Sequence, residues 1–139
     1  MFARLDHLIV AVKDLKEAEN NYKKLFGFTP VWKGIHKDWG TSNSLFNFEN
    51  TYFELLSASG NGEGADLVNN YLAQSGEGLM GMVFATEDIN SASDSLVEKG
   101  FLVEELSNGQ GINNSDQHTR KWKNLFLPPE LTRGIFSFV

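Results

Sequence analysis

The chain has 139 residues, 41% hydrophobic and 22% charged, with no cysteine and a formal net charge of −6 at pH 7. Those values give one ordinary globular domain with a sizeable core, and they exclude disulfides and thiolate metal sites. Lysines and arginines are scattered, so no basic footprint for nucleic acid is present, and no apolar run reaches the roughly 20 residues that cross a bilayer.

Met1-Phe2-Ala3-Arg4 leads straight into an apolar strand, without the zones of a signal peptide. With the missing cysteines, this points to a cytoplasmic domain. The strand runs from Leu5 to Val12. His7 shares a face with Leu5, Ile9 and Ala11, and Leu8, Val10 and Val12 form the other. Both faces are apolar, so both are expected to be covered. Asp14 caps a helix, with Glu17 three residues on and Leu15, Ala18, Tyr22, Leu25 and Phe26 at helical spacing. Gly27 stops it.

Three strands are expected next: Phe28 to Ile35, Thr41 to Phe48, and Thr51 to Ser57. In the last, Tyr52, Glu54 and Leu56 share one face and Phe53 and Leu55 the other. The run Ser59 to Gly64 reads as a linker. A short helix with Leu67, Val68, Tyr71 and Leu72 follows and ends at Gly76 and Gly78.

The second half repeats the order of the first. A strand from Leu79 to Thr86 precedes a cap at Asp88 and a helix face of Ile89, Ala92, Leu96 and Val97, stopped by Gly100. A shift of 74 positions places Ala11 on Ala85, Asp14 on Asp88 and Ala18 on Ala92, and a shift of 73 places Gly27 on Gly100. Strands are expected at Phe101 to Leu106, Arg120 to Leu127 and Gly134 to Val139. The polar run Ser107 to His118, with Gly109 and Gly111, reads as a loop over a site.

Two tandem βαβββ halves with a histidine in the first strand and a glutamate in the fourth resemble the vicinal oxygen chelate superfamily. LDHLIVAVKDL and TYFELLS carry the likeness. Gly34-Ile35-His36 through Gly40-Thr41-Ser42-Asn43 is similar to the G-x-H…GT-x-N pattern of its glyoxalase-like branch. The resemblance covers nearly the whole chain. It implies an α+β fold in which two modules curl a mixed sheet around a cleft: module 1 at about 1–58, linker and short helix at 59–78, module 2 at about 79–139. It also implies metal ligands on the first and fourth strands of each half, and members range from glyoxalase I and methylmalonyl-CoA epimerase to dioxygenases and binding proteins. Fold alone does not choose among these.

His7 and Glu54 match the first-half ligand positions. Gly81 stands opposite His7 by the shift of 74, and Ser137 is expected where the second carboxylate would sit. A lone histidine on an apolar strand is ordinarily a satisfied core residue, but its pairing with Glu54 marks the cleft. A buried carboxylate needs a partner, because burying it alone costs roughly several kcal/mol. A catalytic zinc takes three protein ligands, and a non-haem iron takes two histidines and a carboxylate. His36 is the candidate third ligand, and Asp116 and His118 lie in the second-half loop. Glu54 is the one in-register catalytic base. Asn43, Asn47, Arg120 and Trp122 are candidate ligand contacts; an arginine beside an aromatic suits an anionic or planar ligand. Lys121 and Lys123 are expected to point away.

The expected function is binding of a small organic molecule in the cleft, with an incomplete metal site at His7 and Glu54. The alternatives are a metal-dependent lyase, isomerase or dioxygenase and a non-catalytic dimerisation domain. In the first, a divalent metal ion is completed by His36 or by residues beyond Val139, where the chain stops abruptly after an apolar strand. A homodimer fits a curled sheet with edges to cover; no nucleic acid or membrane partner is expected.

Overall fold

The computed structural model of the chain describes residues 2–139. The elements are β1 (Arg4–Ala11), α1 (Leu15–Phe26), β2 (Trp32–His36), β3 (Thr41–Asn47), β4 (Tyr52–Ala58), α2 (Glu63–Ser75), β5 (Gly78–Ala85), α3 (Ile89–Glu98), β6 (Ser107–Asn113), β7 (Thr119–Asn124), α4 (Pro129–Thr132) and β8 (Phe136–Phe138). No helix among the described residues is long and apolar enough to cross a membrane.

The strands form one sheet in the order β7-β6-β2-β3-β4-β1-β5-β8. The sheet curls until its ends meet. Leu125 and Val139 exchange backbone hydrogen bonds of 3.1 and 3.0 Å, and Leu127 N–H donates to the Ser137 carbonyl at 3.0 Å. The fold is thus the α+β, curled mixed sheet that the sequence pattern implies. β1 and β5 begin and end 74 positions apart, and the caps Asp14 and Asp88 keep the same spacing. Asp14 accepts from the Glu17 backbone N–H, and Asp88 from Asn90 and Ser91. Gly27 closes α1 at φ 78°, a left-handed conformation that glycine adopts without a Cβ clash.

Alternation sorts the strands between two environments. On the outer face Val10, Val12, Phe46 and Leu55 pack under Leu15, Ala18, Tyr22 and Phe26 of α1. Phe46 and Leu55 are fully buried, each stabilising the fold by roughly 1.5–3 kcal/mol. On the inner face Ile9, Ala11, Leu56, Met80 and Val83 pack with Val68 of α2. Glu19, on the buried side of α1, is held by Lys23, Lys33 and Ser44.

Several expected boundaries change. Phe101 to Leu106 is not a strand, and Leu102 is 90% exposed. The polar run expected to be a loop supplies β6 instead, pairing Gly34 with Asn113 and Ile35 with Ile112. Its glycines are strand residues crossed by aromatic rings, not turn residues: a Cβ on Gly109 would strike the Trp122 indole, and one on Gly111 would crowd His36. Phe28 to Val31 lies outside β2, beside Pro30, which has no N–H for a ladder. The segment after Pro128 makes the short α4, so the last strand shrinks to Phe136–Phe138.

Candidate active site: an ion-paired wall beside an aromatic lining

The curled sheet encloses a cavity of about 770 Å³. His7, His36, Asn43, Glu54, Arg120 and Trp122, singled out from the sequence, all line it. Asn47 does not; it is exposed at the end of β3. Asp116 and His118 lie in the exposed β6–β7 turn, away from the cavity. Lys121 and Lys123, expected to point away, also border the cavity, because β7 is exposed along most of its length and forms the rim.

The first wall is a chain of polar contacts across β1, β4, β3 and β2. Parallel pairing of β1 with β4 sets Ile9 opposite Glu54 and His7 opposite Tyr52. His7 Nε2 then lies 3.3 Å from one Glu54 oxygen, and Asn43 Nδ2 donates to the other at 2.7 Å. Trp32 Nε1 donates to Asn43 Oδ1 at 3.2 Å. At the other end His7 Nδ1 lies 3.0 Å from Asp6 Oδ2, and Arg4 reaches Asp6 at 3.1 Å. Asp6 joins its neighbour His7 at the cavity because the β1 register shifts between Leu5 and His7. Strict alternation hid this contact; the adjacent Asp-His pair was its sequence signal.

Burial pushes the His7 imidazolium down, but hydrogen bonds to Asp6 and Glu54 outweigh it and raise the group to about 9. Burial alone would raise Glu54; the His7 hydrogen bond, with Asn43 behind it, leaves it below the usual carboxylate value. The His7 hydrogen bond likewise lowers Asp6. At neutral pH the wall therefore carries an imidazolium between two carboxylates. His36 is the opposite case. Burial lowers it, so it is neutral at pH 7, with Nδ1 at 2.9 Å from Thr41 Oγ1.

Beyond Trp32, where this polar chain ends, the lining is aromatic. The Trp32 indole lies over Gly34, and the Arg120 guanidinium sits 4.4 Å above the Trp32 ring centre. Trp122 meets His36 edge-on at 5.8 Å, and Trp39 packs on Phe126 at 5.5 Å. All three tryptophans line the cavity. Trp32, Trp39, Phe126, Phe136 and Phe138 were not singled out from the sequence, where an aromatic at strand spacing reads equally well as core.

The donors present do not fit a complete metal site. Among the described residues no group of three or more His, Asp or Glu is placed to hold an ion. His7 and Glu54 are engaged with each other. In the second half a Cβ on Gly81 would strike Phe136. Parallel pairing sets Val83 opposite Phe138, as Ile9 faces Glu54, so the counterpart of Glu54 is Phe138 and not the expected Ser137. Phe138 meets the His7 ring edge-on at 6.3 Å.

Comparisons with known proteins agree with this architecture. A family model described as glyoxalase-like domain matches residues 5–139. An ethylmalonyl-CoA/methylmalonyl-CoA epimerase of Cereibacter sphaeroides is 30% identical over 103 residues, 74% of this chain and 75% of that protein. Methylmalonyl-CoA epimerase of Streptomyces coelicolor, solved with 2-nitronate-propionyl-CoA, superposes with TM-score 0.76 at 21% identity, covering 99% of this chain and 93% of that one. The Mycobacterium tuberculosis methylmalonyl-CoA epimerase gives 0.79 at 19% identity, over 99% and 86%. Fold, repeat and family match together place this chain in the glyoxalase-like domain family of the vicinal oxygen chelate superfamily.

Proposed function

We propose that this chain binds a small organic molecule in the cleft and does so without a complete metal site. One observation carries the reading: His7 and Glu54 are paired with each other, while their second-half counterparts are Gly81 and Phe138. The aromatic lining takes the apolar body of a ligand, since most of the lining is apolar and specificity comes from a few placed polar groups. The relatives make an acyl-CoA thioester the first ligand class to test.

The same pairing weighs against proton abstraction by Glu54. Both its oxygens already accept hydrogen bonds, and its basicity is lowered. A metal-dependent isomerase, favoured by the likeness to the epimerase, needs Glu54 released from His7 and a further donor, with His36 as candidate. A role for this domain in dimerisation leaves the open cavity unused.

Two measurements test the reading. Protein purified without chelator is expected to hold well under one divalent ion per chain by elemental analysis. Tryptophan fluorescence is expected to change saturably with methylmalonyl-CoA or a related thioester. A stoichiometric ion that disappears in His7→Ala would overturn the metal-free reading.

A further inference from the structure

We infer that Arg120, laid on Trp32, is the receptor for an oxyanion, carboxylate or phosphate, carried by a flat apolar ligand. This deepens the cleft-binding reading and rests on it.

Three observations support the assignment. First, Arg120 is held by an aromatic face and not by a carboxylate. Among the described residues no ion pair involves Arg120. Asp6 and Glu54 are taken by His7. A guanidinium over an indole face leaves its N–H groups unspent by the ring, and that planar fork matches a carboxylate or phosphate with two parallel hydrogen bonds.

Second, the platform is built into the sheet. Trp32 is fixed by its hydrogen bond to Asn43, which is fixed on Glu54. Gly34 leaves the surface on which the Trp32 ring lies, and Gly111, opposite Arg120 in the β6–β7 register, adds no side chain. Arg120 is itself exposed at the cavity rim, and this platform is what sets it apart from a free surface arginine.

Third, the carboxylates of the ion-paired wall are already occupied. Asp6 and Glu54 are neutralised against His7, and Arg120 lines the same cavity, on the Trp32 ring at the end of the Glu54–Asn43–Trp32 chain. A ligand with an anion at one end and a flat apolar body finds both requirements on the aromatic lining.

Isothermal titration calorimetry with three matched probes tests this: 2-naphthoate, 2-naphthyl phosphate and 2-naphthalenemethanol. The native protein is expected to bind at least one of the two anions about tenfold or more tighter than the alcohol, as a charged hydrogen-bond pair would give. The order of the two anions says whether the receptor takes a carboxylate or a phosphate. In Arg120→Met, which keeps an apolar stem on Trp32, the ratio is expected to fall to about one; in Arg120→Lys it falls in between, because the point charge remains and the fork is lost. Equal binding of all three probes by the native protein, or an undiminished preference in Arg120→Met, overturns the assignment and leaves the cleft reading standing. No saturable binding of any probe overturns the assignment, and the cleft reading falls with it only if methylmalonyl-CoA also leaves the tryptophan fluorescence unchanged.

Discussion

The two halves of this sheet share a backbone plan and differ in chemistry. β1 and β5 are offset by 74 positions throughout, and each leads into an aspartate-capped helix. Yet the first half places His7 and Glu54 in the cavity, while the second places Phe138 there and leaves no room for a side chain at Gly81. A repeated fold fixes where ligands would stand, not that they stand there. Once the second pair is absent, the first pair is left to satisfy itself, because a buried charge without a partner is costly.

The largest test breaks the first half. Glu54→Ala leaves the Asn43 amide and the His7 imidazolium without their shared acceptor, and urea denaturation is expected to show a loss of about 3–5 kcal/mol. A variant as stable as the native chain would mean that the pair carries no structural weight.

The next test is pH. His7 stands at about 9 in the folded protein against 6.5 for the free side chain. The folded state therefore binds this proton more tightly. Its stabilisation is complete below pH 6.5 and is lost as pH rises through 9, by roughly 3 kcal/mol. Denaturation midpoints should fall over that window in the native chain and stay level in His7→Gln. Ring-proton NMR should show His7 titrating near 9 and His36 below 6.5; the reverse order would remove the ion-paired wall.

A smaller effect is expected in the second half. Gly81→Ala forces a methyl group against Phe136 and should cost about 1–3 kcal/mol without any gain in metal affinity. The comparison sharpens with Phe138→Glu, which returns a carboxylate to the position opposite Val83. Cobalt(II) binding is expected to strengthen about tenfold or more over the native chain, since a third donor approaches the usual catalytic set. Unchanged cobalt affinity would mean that the two pairs do not converge. The smallest change is Asp14→Ala, which removes the α1 cap for about 1 kcal/mol, read from the thermal midpoint.

Much of the fold was legible because local signals agreed. Asp14, Gly27, Asp88 and Gly100 mark helix ends by backbone chemistry that acts within a few residues. The alternation of Phe53 and Leu55 against Tyr52, Glu54 and Leu56 sorted β4 correctly between helix and cavity. β6 was not legible. Its glycines carry no strand propensity, and their reason lies in Trp122 and His36, which reach them from other strands. Phe101 to Leu106 erred the other way: apolar residues suggested a strand, but Val103 and Leu106 pack against the buried Leu96, Leu125 and Val139 without joining the sheet.

The same division holds for the cavity. Sequence by itself determined the helix caps through short-range spacing and the repeat through the offset of 74 positions. The resemblance to the family supplied the site positions of His7, Glu54 and Gly81. Tertiary structure decided that His7 is held between Asp6 and Glu54, that Phe138 and not Ser137 takes the second carboxylate position, and that Arg120 rests on Trp32. Those outcomes depend on a register shift in β1, on β5–β8 pairing and on contact between strands distant in the chain. A strand slipped by one residue turns every side chain to the other face, so the register, fixed only on folding, chooses which residues meet.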